Sequence, residues 1–166
     1  MTQYEHALAG AITPEMRRVA QREQRDAEFI RAEAAAGRLV IPANIRHLSP
    51  AEASAARLDP CGIGRALTTK INANIGASPL SSCKAQELLK LQWAVKYGAD
   101  AVMDLSTGGN LDEIRTALLA QCPAPFGTVP IYQVMTEAQS LEEVKGDWFL
   151  DMVHHHAKQG VDFVTV

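Results

Sequence analysis

The sequence predicts an α/β protein that forms about the first half of a (β/α)8 barrel, preceded by a small, mainly helical region. Strand and helix patterns alternate from residue 66 onward, which is typical of parallel strands joined by right-handed crossovers. Three residues at predicted strand ends, Asn74, Met103 and Tyr132, follow one another at intervals of 29 residues. Such a barrel of roughly 250 residues needs about 31 per unit. A doubly wound sheet shares this period, but the stretch NANIGASPLSS lacks its G-x-G-x-x-G fingerprint.

Composition limits the possible classes of function. The chain has 166 residues, of which 47% are hydrophobic and 21% charged, and a net charge of −3, which argues against a nucleic-acid partner. No apolar run reaches the length of a membrane span or of a signal peptide, so we expect a cytoplasmic protein without a membrane partner. Cys61, Cys83 and Cys122 are widely spaced and odd in number, which favours reduced thiols.

Residues 1–65 are predicted to form the helical N-terminal region. Its predicted elements are two helices, a short strand and a loop: 14–24, 26–37, 38–41 and 49–64. Thr13 and Pro14 form a typical helix start, with Thr13 as N-cap and proline in the first helical position. Gly37 ends the second helix, and Pro42 ends the strand. Because the loop is rich in small and polar residues, we place the domain boundary near residue 65.

Residues 66–166 are predicted to contain three strand–helix units and a fourth strand of the incomplete barrel. The predicted strands are 69–75, 100–106, 126–134 and 161–166, and the predicted helices are 82–98, 110–122 and 140–160. Gly98 ends the first of these helices, and Asn110 caps the second. Gly146 is interpreted as a local irregularity in the third helix.

Polar and adaptable side chains are predicted at the carboxyl ends of these strands, where the active sites of such barrels gather. They are Asn72, Asn74, Met103, Asp104, Ser106, Tyr132 and Gln133. An asparagine amide can donate and accept hydrogen bonds, tyrosine adds a ring and a hydroxyl, and methionine forms an apolar wall. Together they predict a pocket for a small polar ligand with a flat ring. Two alternatives remain open: Met103 as a core residue, and Asp104 as the cap of the next turn. Pro130 is interpreted as a break in the third strand.

Three other motifs are weaker candidates. The turn at residues 107–109 precedes a helix and either holds an anion or simply caps that helix. The histidines at 154–156 point in three directions if helical, which excludes a shared tetrahedral metal ion. Asn44, Arg46 and His47 form a polar cluster on a loop after Pro42 and are a candidate to reach the barrel mouth.

Five motifs, in this order and spacing, resemble the phosphomethylpyrimidine synthases, a radical S-adenosylmethionine family also known as ThiC. The motifs are IPANI-x-H, KINANIG, GADAVMDLSTGGNLDEIR, GTVPIYQV and QGVDFVTV. The resemblance extends along essentially the whole chain. It is greatest to the short form of the family, which also includes the 5-hydroxybenzimidazole synthases of cobamide synthesis.

The resemblance implies a specific reaction and site. The family converts 5-aminoimidazole ribotide to hydroxymethylpyrimidine phosphate for thiamine, with a [4Fe-4S] cluster, S-adenosylmethionine and zinc, and its members are typically homodimers. Its substrate-binding residues fall on Asn74, Met103 and Tyr132. The glycine-rich turn after Met103 is then expected to leave room for the ribotide above the second strand.

The resemblance also implies that much of the site lies elsewhere. The next substrate-binding histidine of the family would follow Val166, and its zinc-binding histidines and cluster-binding cysteine triplet are not matched by Cys61, Cys83 or Cys122. We therefore expect an N-terminal portion that carries no catalytic or metal-binding residue of its own and is inactive alone. A 5-hydroxybenzimidazole synthase and a non-catalytic fragment remain as alternatives.

Overall fold

The computed structural model of the protein describes residues 1–81, 83–138, 140, 142 and 144–166. The chain divides into two compact units, each made of two segments. The first unit is Met1–Pro42 with Asp59–Lys70, and the second is Ala43–Leu58 with Ile71–Val166. The predicted boundary near residue 65 stays a prediction, because these units follow spatial contact rather than chain order.

The first unit consists of short helices and a small antiparallel sheet. Its elements are α1 (Gln3–Leu8), α2 (Pro14–Glu23), α3 (Ala27–Ala35), β1 (Leu39–Val40) and β2 (Ile63–Gly64). The Thr13 hydroxyl accepts a hydrogen bond from the Met16 N–H at 3.1 Å, which confirms the predicted cap of α2. Gly37 follows α3 with φ of +68°, a conformation that favours glycine. Helix α1, which begins with a capping box between Thr2 and Glu5, was not predicted.

The second unit is built on a parallel sheet. Its elements are α4 (Ile45–Leu48), β3 (Asn72–Ile75), α5 (Lys84–Lys96), β4 (Ala101–Asp104), α6 (Leu111–Leu119), β5 (Phe126–Thr128), α7 (Pro130–Glu137), α8 (Gly146–Gln159) and β6 (Phe163–Val164). Strands β3 to β6 are hydrogen-bonded in sequential order, and each neighbouring pair is parallel. This order confirms the prediction for these strands. The barrel stays a prediction, because four strands do not close one.

One face of the parallel sheet packs against helices. Val102 and Phe126 are fully buried on this face, together with Leu91 of α5 and Leu118 of α6. Burying a side chain of this size stabilises the fold by about 1.5–3 kcal/mol. Side chains alternate along a strand, so the register assigns Asn74, Met103, Gly127 and Phe163 to the opposite face. We call this opposite face the open face.

The third predicted strand is wrong in its second half. Strand β5 ends at Thr128, and Pro130 is the first residue of helix α7. Proline suits that position because the first helical N–H has no partner within the helix and proline's φ is already helical. Pro130 therefore starts a helix instead of breaking a strand, and Tyr132 lies on α7. The strand ends are Ile75, Asp104 and Thr128, so the spacing falls from 29 to 24 residues.

The predicted helices that follow β3 and β4 are confirmed. Helix α5 ends before Gly98, whose φ is +86°, and the Asn110 side chain caps α6 by accepting from the Glu113 N–H at 3.2 Å. Helix α8 begins at Gly146, which is therefore its first residue and not an internal irregularity. The predicted helix start at Ser82, and Leu141 and Glu143 in the predicted helix 140–160, lie outside the described residues. In the described part of the chain, no helix is both long and apolar enough to cross a membrane.

Candidate ligand-binding site

Asn74 and Met103 lie side by side on the open face, near the carboxyl edge of the parallel sheet. They are direct partners in the register of β3 and β4. The Asn72 amide donates a hydrogen bond to the Asn74 Oδ1 at 2.8 Å, and the Thr165 hydroxyl lies 3.7 Å from the Met103 sulfur. Among the described residues, the Asn74 amide N–H groups donate to no other side chain or backbone group, so they can donate to a ligand.

A cavity of about 370 Å³ adjoins Asn74 at this edge. Its walls include the loop that follows β3, at Gly76 and Ser78, and the loop that follows β4, at Leu105 and Thr107. Ligands bind in such crevices beyond the carboxyl ends of parallel strands. The cavity therefore lies where a small ligand would bind.

Asp104 lies on the helix-covered face of the sheet and holds the loop that follows β4. It is 4% exposed, and its Oδ1 accepts hydrogen bonds from both the N–H, at 2.9 Å, and the hydroxyl of Ser106. The Ser106 hydroxyl also accepts from the Ala77 N–H at 3.0 Å, which ties the two loops together. Burial raises the pKa of Asp104, although the Ser106 hydrogen bonds oppose this effect. The alternative that Asp104 caps the next turn is thus the one that the structure supports.

Glu87 of α5 anchors the loop that follows β3. Its carboxylate is fully buried and accepts a hydrogen bond from the Gly76 N–H at 2.9 Å. The Lys90 ammonium lies 2.7 Å from the other oxygen of Glu87 and 3.2 Å from the Gly76 carbonyl oxygen. These contacts join helix, loop and strand end, so the cavity wall is held by charged hydrogen bonds.

Gly108 has a structural role in the glycine-rich turn. A Cβ atom added there would lie 2.3 Å from the Pro79 nitrogen and 2.6 Å from the Ser78 carbonyl carbon. The turn was expected to leave room for a ligand, but the space beside Gly108 is filled by the backbone of the preceding loop. Glycine is needed here because two backbones approach closely.

Tyr132 and Gln133 occupy different environments at the start of α7. The Tyr132 side chain is 39% exposed, whereas Gln133 is buried between α6 and α8. The Gln133 Oε1 accepts hydrogen bonds from the Arg115 guanidinium at 2.6 Å and from His156 at 2.9 Å. Thr128, the last residue of β5, lies 2.8 Å from the other ring nitrogen of His156. Sequence reasoning missed this cluster, although an arginine among the apolar positions of α6 is a signal for it.

Burial shifts the pKa values of two side chains in this cluster, His156 and Arg115. Desolvation, followed by the nearby charges of Arg115 and His155, lowers the pKa of His156 to about 3, so its ring is neutral. Burial also lowers the pKa of Arg115, although nearby carboxylates oppose it. The neighbouring His155 has a different partner from His156, since its Nε2 lies 2.9 Å from the Asp112 Oδ1. In the described ranges, no group of three His, Cys, Asp or Glu side chains is placed to hold a metal ion.

Asn44 and His47 lie at the amino edge of the sheet, which corrects the expectation that they reach the barrel mouth. The His47 Nδ1 is 2.6 Å from an Asp162 carboxylate oxygen, and its Nε2 is 2.7 Å from the Cys122 carbonyl oxygen. Asp162 also accepts from the Asn44 N–H at 2.7 Å and immediately precedes β6. Asp162 comes before β6, so this cluster lies at the amino edge of the sheet. The candidate ligand site follows the strands and lies at the carboxyl edge. Arg46 borders a separate cavity of about 310 Å³ in this region.

The pKa of His47 reflects these partners. Burial disfavours the charged ring, but the hydrogen bond and charge of Asp162, with the Cys122 carbonyl, raise the pKa above its ordinary value. Both ring nitrogens face acceptors, which favours the imidazolium form with two N–H donors. The segment 43–58 is thereby attached to the amino ends of β5 and β6.

These observations define an α/β protein built on a parallel sheet, with a cavity beyond the carboxyl ends of its strands, where proteins of this class bind small ligands. Residues 2–166 match the Radical SAM ThiC family, and the chain belongs to that family. It is also 50% identical, over 165 residues, to a phosphomethylpyrimidine synthase from Natronomonas pharaonis. The matched region covers 99% of this chain and 33% of that relative. The chain therefore spans about a third of the length of this curated relative.

Membership of a radical SAM family implies S-adenosylmethionine and an iron–sulfur cluster. The described residues do not fit such a cluster, since cluster ligands are thiolates gathered around the iron. Burial raises the pKa of Cys122 to about 12, and its thiol lies 3.2 Å from the Ala124 carbonyl oxygen. Cys61 is also buried, whereas Cys83 is exposed, and all three are free thiols.

Proposed function

We propose that this chain supplies one wall of the substrate site of a phosphomethylpyrimidine synthase. The reaction converts 5-aminoimidazole ribotide to 4-amino-5-hydroxymethyl-2-methylpyrimidine phosphate for thiamine in the cytoplasm. The observation that carries the proposal is the pairing of Asn74 and Met103 on the open face of the sheet, where Asn74 borders a cavity of about 370 Å³.

Each of three side chains has a distinct role in this proposal. The Asn74 amide donates hydrogen bonds to polar atoms of the ribotide, and Asn72 orients it by donating to the Asn74 oxygen at 2.8 Å. The Met103 thioether forms an apolar surface against the flat ring of the substrate. Tyr132 contributes a ring and a hydroxyl from the start of α7, beyond the end of β5.

We infer that the parallel sheet is the first half of a (β/α)8 barrel and that its open face lines the interior. The sequential strand order supports this, because a doubly wound sheet reverses its order at a switch point. The core packing also supports it, since α5 and α6 cover the same face of the sheet. The remaining strands, and the ligands for the cluster and zinc, then belong to the part of the enzyme that this chain does not span. We expect that enzyme to be a homodimer.

The proposal is tested in a full-length enzyme of this family in which these 166 residues form the matching third. Asn74→Ala should weaken the binding of aminoimidazole ribotide, measured by calorimetry, by roughly 1–3 kcal/mol, because a buried polar group of the ligand loses its partner. Asn44→Ala is the matched control: it removes the same amide at the opposite edge of the sheet and should leave ribotide affinity unchanged. Equal affinities for the parent and Asn74→Ala would contradict the proposed role. The product formed by the parent enzyme, hydroxymethylpyrimidine phosphate or hydroxybenzimidazole, tests the reaction itself.

A further inference from the structure

The Gln133 side chain joins three helices through its amide. Its oxygen accepts hydrogen bonds from Arg115 of α6 at 2.6 Å and His156 of α8 at 2.9 Å. Its nitrogen donates to Asp112 of α6 at 3.1 Å and to Glu137 of α7 at 2.8 Å. The amide thus uses both lone pairs and both N–H groups, the full capacity of a glutamine.

This cluster continues to the edge of the sheet. The Thr128 hydroxyl and the His156 Nδ1 lie 2.8 Å apart, and both residues are almost completely buried. The Gln133 oxygen only accepts, so the neutral His156 ring carries its proton on Nε2 and its Nδ1 accepts from Thr128. A continuous hydrogen-bonded path therefore links the last residue of β5 to the first turns of α7.

Burying Arg115 in this cluster costs free energy. Arg115 is 3% exposed, and its Nε has no hydrogen-bond partner among the residues that the structure describes. A buried charge with an unsatisfied donor costs free energy that an apolar side chain would avoid. Helix α7 also begins without a side-chain cap, since Val129 stands at its N-cap. Its position must therefore come from tertiary contacts such as those of Gln133.

We propose that Gln133 is a positioning residue that, through Arg115 and His156, holds α7 so that Tyr132 keeps its place at the ligand site. Successive helical residues point about 100° apart, which lets Gln133 be buried while its neighbour Tyr132 stays 39% exposed. This inference rests on the proposed contact between Tyr132 and the ribotide. Gln133 itself does not touch the substrate.

The test is a double-mutant cycle on ribotide binding, measured by calorimetry in the full-length enzyme described above. Gln133→Met keeps the length of the side chain and removes its hydrogen bonds, and should weaken binding about 3- to 10-fold. In a Tyr132→Ala background, the same substitution should have no further effect, because the residue that it positions is absent. His156→Leu removes the same link from α8 and should reproduce the result, which protects the test if one variant folds poorly.

Gln159→Met is the matched control. Gln159 also accepts a hydrogen bond from Arg115, but it lies on α8 and does not contact α7 through this bond. It should lower thermal stability to a similar extent as Gln133→Met while leaving ribotide affinity unchanged. A structural role alone would give both variants the same affinity.

The possible results separate the two proposals. Unchanged affinity in both Gln133→Met and His156→Leu would overturn the positioning role, and so would a loss that persists in the Tyr132→Ala background or that Gln159→Met shares. If Tyr132→Ala itself binds the ribotide normally, the assigned contact of Tyr132 is wrong and this inference falls with it. In that case the Asn74→Ala measurement still tests the proposed contact of Asn74 with the ribotide.

Discussion

Replacing Gly108 by alanine should force apart the two loops that border the candidate site. The new Cβ atom would lie 2.3 Å from the Pro79 nitrogen, 2.6 Å from the Ser78 carbonyl carbon and 2.7 Å from the Pro79 Cα. These atoms belong to the backbone, so no side-chain rotation relieves the contacts. To bring the new Cβ and the Pro79 nitrogen even to a short contact of about 3.0 Å, the two loops must separate by roughly 0.7 Å. The atoms around them are closely packed, so this separation is opposed.

The cost of this displacement follows from its steric origin. Inserting a methyl group into a well-packed site costs about 1–3 kcal/mol. For a protein of this size, each kcal/mol lowers the melting temperature by about 2–4 °C, so Gly108→Ala should lower it by about 2–12 °C. The hydrogen bond between Ala77 and Ser106, 3.0 Å long, joins the same loops and should be strained or lost.

The assay is thermal unfolding followed by circular dichroism, with Gly146→Ala as the matched control. Gly146 is the first residue of α8, and an added Cβ there has no described atom within 4 Å. The control should therefore keep or slightly raise the melting temperature, since alanine favours helix more than glycine does. A Gly108→Ala protein as stable as the parent, or a control that loses as much, would refute this account of the turn.

Two further predictions concern titratable groups. The pKa of His47 is raised above 6.5 in the folded protein, so its contribution to stability should be complete below pH 6.5 and should disappear as the pH rises through the raised pKa. Asp162→Asn should remove most of this dependence in melting curves recorded between about pH 5.5 and 9; a profile unchanged by the substitution would contradict it. A thiol reagent should modify exposed Cys83 rapidly, but Cys61 and Cys122 only on unfolding, and Cys83→Ser should abolish the rapid phase. Rapid modification that survives Cys83→Ser would show that a buried thiol is accessible.

The sequence predicted correctly those helix starts that are set by residues close by in the chain. Thr13 with Pro14, and Asn110, mark helix starts because a cap acts within three residues of itself. Pro130 misled the prediction because proline is equally compatible with an irregular strand and with the first position of a helix. The choice between these two depends on the packing of α7 against α8, which no short stretch of sequence records.

The candidate site was predictable to the extent that it follows the strands. Asn74 and Met103 pair because each is the residue before the last one of its strand, and the ends of β3 and β4 are 29 residues apart. The Gln133 cluster was not predictable in the same way. Gln133 meets Arg115 and His156 across separations of 18 and 23 residues, and their contacts depend on how three helices pack.

The adjacent residues Met103 and Asp104 explain why the end of β4 combines an apolar and a charged side chain. Successive strand residues face opposite sides of a sheet, so Met103 lies on the open face and Asp104 on the helix-covered face. There Asp104 fixes the loop through Ser106, while Met103 lies beside Asn74, where we propose that the ligand binds. A shift of one residue in register would bury the methionine and direct the carboxylate toward the open face. The helix-covered core therefore maintains the proposed site indirectly, because it holds β4 in the one register that places Asp104 against the loop and Met103 on the open face.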